Sequence, residues 1–261
     1  FIQTESSCMK LSINQLKYLK SLHERKYRQK YHNFIVEGVK LAGEVLVSGS
    51  FEVEMAVAVP DWLEKNKALL RNVANIVPVE EGELKKISLL TTPNQVLLVV
   101  KQPEINFDAH AAFQGFTLYL DDIRDPGNLG TILRIADWFG ISWVICSPGS
   151  VEAYNPKVVQ SGMGAFLRVK CTEMPFEDLQ AQLPSLPVYG TVLDGQSIFK
   201  ENLQCPAIIA IGNESRGLSS DIQSQLTHRI AIPKGPGGGA ESLNAAVATG
   251  IVCAFFNANL I

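Results

Sequence analysis

Between residues 34 and 101 short apolar runs alternate with stretches of helical periodicity: FIVEG, VKLAGEVLV, EMAVAV, DWLEKNKALLR, NIVPVE, GELKKIS and QVLLVVK. That alternation predicts a small α/β domain. The pattern then lapses in QPEINFDAHAAFQG, which carries Pro, Asn, Asp and Gly without strong periodicity and predicts a linker, with a domain boundary near Pro103. From residue 115 the alternation returns as FTLYLDDI, a helix over about 128–139, SWVICS, a helix after Asn155, LRVKC and PFEDLQAQL. PVYGTVL, PAIIAIG, a helix from near Ser219, HRIAIP and a final helix from Ser242 follow. Apolar strands separated by helices predict a parallel sheet covered on both faces, with its chemistry at the carboxyl ends of the strands. The expected organisation is one domain over 9–102, a linker over 103–114 and a second domain over 115–261.

Composition narrows the class. The chain has 261 residues, 46% hydrophobic and 19% charged, with a mean hydropathy of +0.11. Global disorder, collagen and coiled coil are excluded. Five cysteines, at positions 8, 146, 171, 205 and 253, are odd in number, far apart in sequence and never in a CxxC, so neither a disulfide framework nor a thiolate zinc site is expected. A reducing cytoplasm fits best. The opening FIQTESSCMK lacks an apolar core, which argues against a signal peptide, and Met9 is the expected native start. Residues 242–261 carry no charge, but Asn244, Thr249, Asn257 and Asn259 interrupt them, so a buried helix is expected rather than a membrane span.

Net charge is only −3, yet its distribution is uneven. Between residues 10 and 40 stand eight basic residues, Lys10, Lys17, Lys20, Arg25, Lys26, Arg28, Lys30 and Lys40, against Glu24 and Glu37. Tyr18, His23, Tyr27, Tyr31, His32 and Phe34 are interleaved with them, a mixture suited to phosphate contact and base or ribose stacking. The plainer reading is a solvated helix face.

Three loops at strand ends carry the candidate chemistry. In LDDIRDPGNLGTILRIADWFG, Asp125, Pro126 and Gly127 make a turn and Asn128 can cap the next helix. Arg134 lies among apolar sequence neighbours, which implies a partner: a structural salt bridge, or a phosphate or substrate. In AIIAIGNESRGLSSD, Gly212 and Gly217 flank Glu214 and allow close approach of a ligand, although Glu214 paired with Arg216 in a surface loop is the ordinary alternative. In RIAIPKGPGGGAESLNAAVATGIVCAFF a strand enters a glycine-rich loop and then a helix. Gly235, Gly237 and Ala240 match GxGxxA, but no later acidic residue completes a dinucleotide unit, and no Gly-Lys-Ser/Thr makes a phosphate loop. Ser242, Leu243 and Asn244 stand at the helix start, where capping is the ordinary role.

In order, spacing and position these loops resemble the TrmH (SpoU) family of RNA ribose methyltransferases, of the SPOUT superfamily. Asp121, Asp125, Pro126, Asn128, Gly130 and Arg134 match its first motif; Gly212, Glu214 and Gly217 its second; Ile232, Pro233, Ser242, Leu243 and Asn244 its third. The loop between Pro233 and Ser242 is longer and richer in glycine than the family's commonest form. The resemblance implies an α/β fold whose C-terminal parallel sheet holds a deep trefoil knot, which general topology rules would have excluded. It also implies a smaller N-terminal α/β substrate-binding domain like certain ribosomal proteins. The implied reaction moves a methyl group from S-adenosylmethionine to an RNA ribose 2′-hydroxyl, in ribosomal RNA of the large subunit rather than transfer RNA, with no metal. Gly190, Thr191, Gly212, Ile232 and Leu243 are implied to hold the cofactor. Arg134, Asn128, Glu214, Ser242 and Asn244 are implied to be catalytic, and Lys17, Arg25, Lys26, Arg28, Lys30 and Arg134 are the expected RNA contacts. A homodimer through the last helix is implied too. The alternatives are an RNA-binding protein of the same fold that has lost catalysis, and a nicotinamide-dependent oxidoreductase resting on GxGxxA alone.

Overall fold

A computed structural model describes residues 10–92, 94–112 and 114–258. The expected start at Met9 lies outside the described residues. Two compact units are present: the chain up to Glu104 with residues 154–160, and residues 105–153 with those from 161 onward.

The first unit contains α1 (Ile13–Ser21), α2 (Arg25–Tyr31), β1 (Asn33–Glu37), α3 (Val39–Ser48), β2 (Val53–Ala58), α4 (Pro60–Lys65), β3 (Asn75–Pro78), α5 (Glu81–Ile87) and β4 (Val96–Lys101). Its sheet runs β1-β4-β2-β3, with β4 antiparallel to both neighbours and β3 parallel to β2. Ser12 and Gln15 close α1 with a reciprocal capping box. Leu19, Leu22, Ile35, Val57, Leu84, Ile87, Leu97 and Val99 form the core. DWLEKNKALLR is helical only to Lys65, where turns take over and the Asn66 side chain donates to the Trp62 carbonyl at 2.8 Å.

In the second unit follow α6 (Ala109–Ala112), β5 (Phe116–Leu120), α7 (Pro126–Trp138), β6 (Trp143–Cys146), β7 (Lys170–Glu173), β8 (Val188–Ser197), β9 (Ala207–Ile211) and β10 (His228–Ala231). The remaining α-helices among the described residues are α8 (Pro156–Gly162), α9 (Phe176–Gln182), α10 (Ser220–Gln223) and α11 (Ala245–Ala258). The sheet is parallel throughout, in the order β10-β8-β9-β5-β6-β7. All five residues of β9 are buried, as sheets covered on both faces require. Tyr119, Trp143, Ile145, Phe176, Leu179, Ile208 and Ala210 make one side of the core. β10 lies at one edge and β5 is fourth from it, yet α11, which follows β10, packs on α7, which follows β5.

Several local readings change. α7 begins at Pro126, not near Asn128, because Asp125 is its cap: the Asp125 carboxylate accepts from the Asn128 backbone at 2.9 Å. α11 begins at Ala245. Cys146 and Cys171, distant in sequence, meet as free buried thiols with their sulfurs 3.7 Å apart on paired strands. Among the described residues no helix is long and apolar enough to cross a membrane.

Candidate active site

Because the second sheet is parallel, the loops leaving β5, β9 and β10 emerge at one edge, and β5 and β9 are neighbours there. Buried Asp121, just past β5, accepts from the Ser219 backbone at 2.7 Å and ties the β9 loop to β5. Asn213 donates from Nδ2 to the Asp122 carbonyl at 2.9 Å, while its Oδ1 accepts from the backbone of Ser215 at 2.9 Å. The turn around Glu214 is thereby fixed from both sides.

Within this frame four of the five expected catalytic residues meet. Asn128 Nδ2 donates to Glu214 Oε1, and Asn128 Oδ1 accepts from Asn244 Nδ2 at 2.8 Å. Ser242 Oγ donates to the Glu214 carbonyl at 3.3 Å. Asn244 also performs the ordinary role, since its Oδ1 accepts from the backbone of Ala246 at 2.9 Å and Val247 at 3.2 Å and so caps α11. The result is a directed chain of amides, Asn244 to Asn128 to Glu214, whose terminal acceptor is a carboxylate.

Arg134 does not join that chain. α7 buries Leu129, Ile132, Leu133 and Ala136, so most of the apolar neighbours of Arg134 in sequence face the core, while Arg134 is exposed, as is Trp138 one turn on. Among the described residues it has neither a hydrogen bond nor an ion pair, contrary to the structural salt bridge that its sequence setting suggested. Glu214 does not pair with Arg216 either; Arg216 reaches Asp122 at 3.6 Å.

A cavity of about 840 Å³ opens beside the network. Thr191, Gly212, Ile232 and Leu243 line it, as do Asp194, Leu218, Lys234 and Glu241, which sequence reasoning missed. Part of its wall comes from residues 191–194, in the segment that leaves the β8–β10 pairing between Gly190 and Gln196. Gly195 permits the return, since a Cβ there would lie 2.6 Å from the Ile230 backbone. Gly190 itself does not line the cavity; a Cβ there would strike the Leu226 side chain at 2.4 Å, so its smallness serves packing. At Gly212 the missing side chain makes room for the chain, because a Cβ would lie 2.2 Å from the Gly217 carbonyl carbon, while its backbone borders the cavity. Among the described residues, no strand follows the glycine-rich loop, which leads into α11, so no dinucleotide-binding unit forms there.

In the first unit Lys17, Arg25, Lys26 and Lys30 are exposed on α1 and α2. Lys26 pairs with Glu24 at 3.0 Å and lies 4.8 Å from the Tyr27 ring centre, while Lys30 lies 5.3 Å from that of Tyr31. The two rings are nearly parallel, with centroids 6.2 Å apart. Tyr18 packs edge-on against Tyr31, and burial, with Glu54 alongside, pushes its hydroxyl pKa up to about 12. Arg28 corrects the expected RNA contacts: it is 1% exposed, and its Nη1 donates to the Leu22 carbonyl at 2.7 Å. Arg25 and Arg28 stand one helical turn apart, near the same face, yet only Arg28 is buried, a distinction that a count of basic residues cannot make. Among the described residues no group of three or more His, Cys, Asp or Glu side chains is placed to hold a metal ion.

Known proteins resemble the chain in both sequence and fold. The MRM3-like substrate binding domain matches residues 14–98. Over 91% of the chain, 29% of residues are identical to the Bacillus subtilis 23S rRNA (guanosine(2553)-2'-O)-methyltransferase RlmP, covering 94% of that protein. An RNA methyltransferase of the TrmH family from Porphyromonas gingivalis superposes with a TM-score of 0.82 at 41% identity, over 94% of this chain and 98% of that one. The AdoMet-bound rRNA methyltransferase from Sinorhizobium meliloti superposes with a TM-score of 0.84 at 26% identity, over 96% and 97% of the two chains. The profile of the SpoU rRNA Methylase family matches residues 115–254, which hold all three strand-end loops and the amide network, and the chain belongs to that family.

Proposed function

We propose that this protein transfers the methyl group of S-adenosylmethionine to a ribose 2′-hydroxyl of large-subunit ribosomal RNA. The observation that carries the reading is the Asn244–Asn128–Glu214 chain beside a cavity built by the same three loops. The cavity suits the cofactor in size and chemistry. Ile211, Leu218, Ile230 and Ile232 offer apolar walls for a purine, Asp194 and Glu241 offer negative charge to a cationic ligand, and Lys234 can meet a carboxylate. When bound, S-adenosylmethionine supplies an electrophilic methyl group on a positively charged sulfur. Backbone groups of Thr191, Gly212, Ile232 and Leu243 hold it in this reading.

The chain's own residues then have separable tasks. Asn128 holds Glu214 with one end of its amide and is itself held by Asn244, so the carboxylate is oriented before RNA arrives. Ser242 fixes the backbone of the same residue. The unpaired fork of Arg134 can grip a phosphate and stabilise charge developing on the ribose oxygen. The exposed cations and tyrosines of α1 and α2 supply RNA contact outside the reacting centre. Ribosomal RNA is favoured over transfer RNA by the substrate-binding domain match and by what RlmP is named to modify.

The assembly in this reading is a homodimer through α7 and α11, where Trp138 is 84% exposed and Val247 52%. The return of α11 to α7 is threaded as a trefoil knot, and the free buried thiols fit the cytoplasm. The test is transfer of labelled methyl from S-adenosylmethionine to total RNA from cells lacking the protein. Label is expected in a 2′-O-methylated nucleoside of large-subunit RNA. No label together with no cofactor binding would overturn the reading in favour of a noncatalytic RNA-binding protein.

A further inference from the structure

A second charged cluster stands at the same sheet edge and takes no part in the amide chain. Asp122 adopts a φ of 55°, in the left-handed region that glycine occupies most readily and that aspartate and asparagine also tolerate. Loops from two other strands hold it there. Its backbone N–H donates to Ser147 Oγ at 2.8 Å, and its carbonyl accepts from Asn213 Nδ2 at 2.9 Å. The carboxylate so placed takes two guanidinium groups: Arg124 Nε reaches Oδ1 at 2.7 Å and Arg216 Nη2 lies 3.6 Å from Oδ2. Both arginine side chains remain open, 63% and 67% exposed.

Exposed ion pairs contribute little to stability, so stability is a poor reason for anchoring this residue from two loops. The arrangement instead fixes the positions of two planar forks, with two positive charges against one negative. Arg124 keeps both Nη groups, and Arg216 its Nε and Nη1, without partners among the described residues. Both belong to loops of the amide chain: Arg124 stands four residues before Asn128 and Arg216 two after Glu214.

We propose that Arg124 and Arg216, tethered by Asp122, form a binding site for a backbone phosphodiester of the RNA beside the nucleotide presented to Asn128 and Glu214. The proposal rests on the methyl-transfer reading. Guanidinium forks match pairs of phosphate oxygens, and their outward exposure suits a polymer lying across the loops better than an enclosed small molecule. Such a contact positions the strand without reading its sequence. The competing occupant is the carboxylate of the cofactor, since Arg216 also borders the cavity.

The experiment uses the full chain, measuring affinity for a ribosomal RNA fragment over a range of salt and, in parallel, affinity for S-adenosylmethionine. The double variant Arg124→Ala with Arg216→Ala is expected to bind RNA roughly tenfold more weakly, with a salt slope lower by about 0.7 for each phosphate released. Its KM for RNA rises more than its kcat falls, and cofactor affinity stays within about twofold on the same view of phosphate contacts as positioning contacts. Arg124→Lys with Arg216→Lys keeps the charge and restores the salt slope, but only part of the affinity. Unchanged RNA affinity and slope in the alanine variant overturns the proposal, as does loss of cofactor affinity with RNA binding intact. A wild-type protein that binds RNA, transfers no methyl group and binds no S-adenosylmethionine overturns the methyl-transfer reading instead, and the RNA-binding comparison still decides the phosphate site.

Discussion

At the scale of single residues, Asn128 shows how one side chain can hold two loops. Its amide donates to Glu214 and accepts from Asn244, partners 86 and 116 positions away in sequence. Asn128→Ala removes both bonds and leaves the Glu214 carboxylate without its oriented donor. Since part of the rate in such a site comes from positioning, kcat for methyl transfer is expected to fall on the order of a hundredfold or more. Cofactor affinity, which depends on other residues, stays nearly unchanged. Steady-state kinetics with isothermal titration of S-adenosylmethionine checks both, and a variant with wild-type kcat would remove Asn128 from the mechanism. The residue types of the loop after β5 are enough to mark Asn128 as a candidate. Its bond to Glu214 is not legible in the same way, because a hydrogen bond between distant residues depends on where the sheet brings their loops. Arg134 teaches the converse. Apolar neighbours in sequence suggest a buried, partnered arginine, but helical spacing turns it toward solvent.

Among elements, α7 is the one on which the site most depends. Pro126 starts it with a preset φ and no N–H to leave unpaired, and Asp125 satisfies the Asn128 N–H and places charge favourably at the helix start. Asp125→Ala is expected to cost about 1 kcal/mol, as is Ser12→Ala at the start of α1. A thermal melt should show a lowered midpoint in both. Activity separates them: fraying of the first turn of α7 loosens Asn128, so kcat should fall in Asp125→Ala and hold in Ser12→Ala, whose helix bears no residue of the amide chain. A melt and a kcat both equal to wild type in Asp125→Ala would show that the cap is dispensable. The helix and its apolar stripe are legible in the sequence, since Leu129, Ile132, Leu133 and Ala136 recur at helical spacing. Which of two capable residues caps it is not, because Asp125 and Asn128 are both good caps and the choice is made by how the chain leaves β5.

On the scale of the whole molecule, the amide chain lies in the second unit, and the cations and tyrosines of α1 and α2 proposed to touch RNA lie in the first. Lys17, Arg25, Lys26 and Lys30 are exposed, whereas Arg28 is buried with its guanidinium on the Leu22 carbonyl. Changing the four exposed residues to Gln should lower the salt slope of RNA binding by up to about 2.8, four contacts at about 0.7 each, with the thermal midpoint little moved. Arg28→Ala should do the reverse, destabilising the fold by roughly 1–3 kcal/mol through lost packing and an unsatisfied carbonyl, while the RNA affinity of the folded fraction persists. Filter binding across salt and a denaturant titration separate the two; a large slope change in Arg28→Ala would restore it to the RNA surface. The α/β class, the strand-end placement of the chemistry and the residue types of the three loops are properties of the sequence alone, because they follow from local periodicity, turn residues and spacing. That β5 and β9 are neighbours, that α11 returns to α7, that Gly190 and Gly212 serve chain packing and that Arg28 faces inward are settled in three dimensions. Each of those depends on contacts between segments far apart in the chain, and local pattern carries no record of which distant surface a residue will meet.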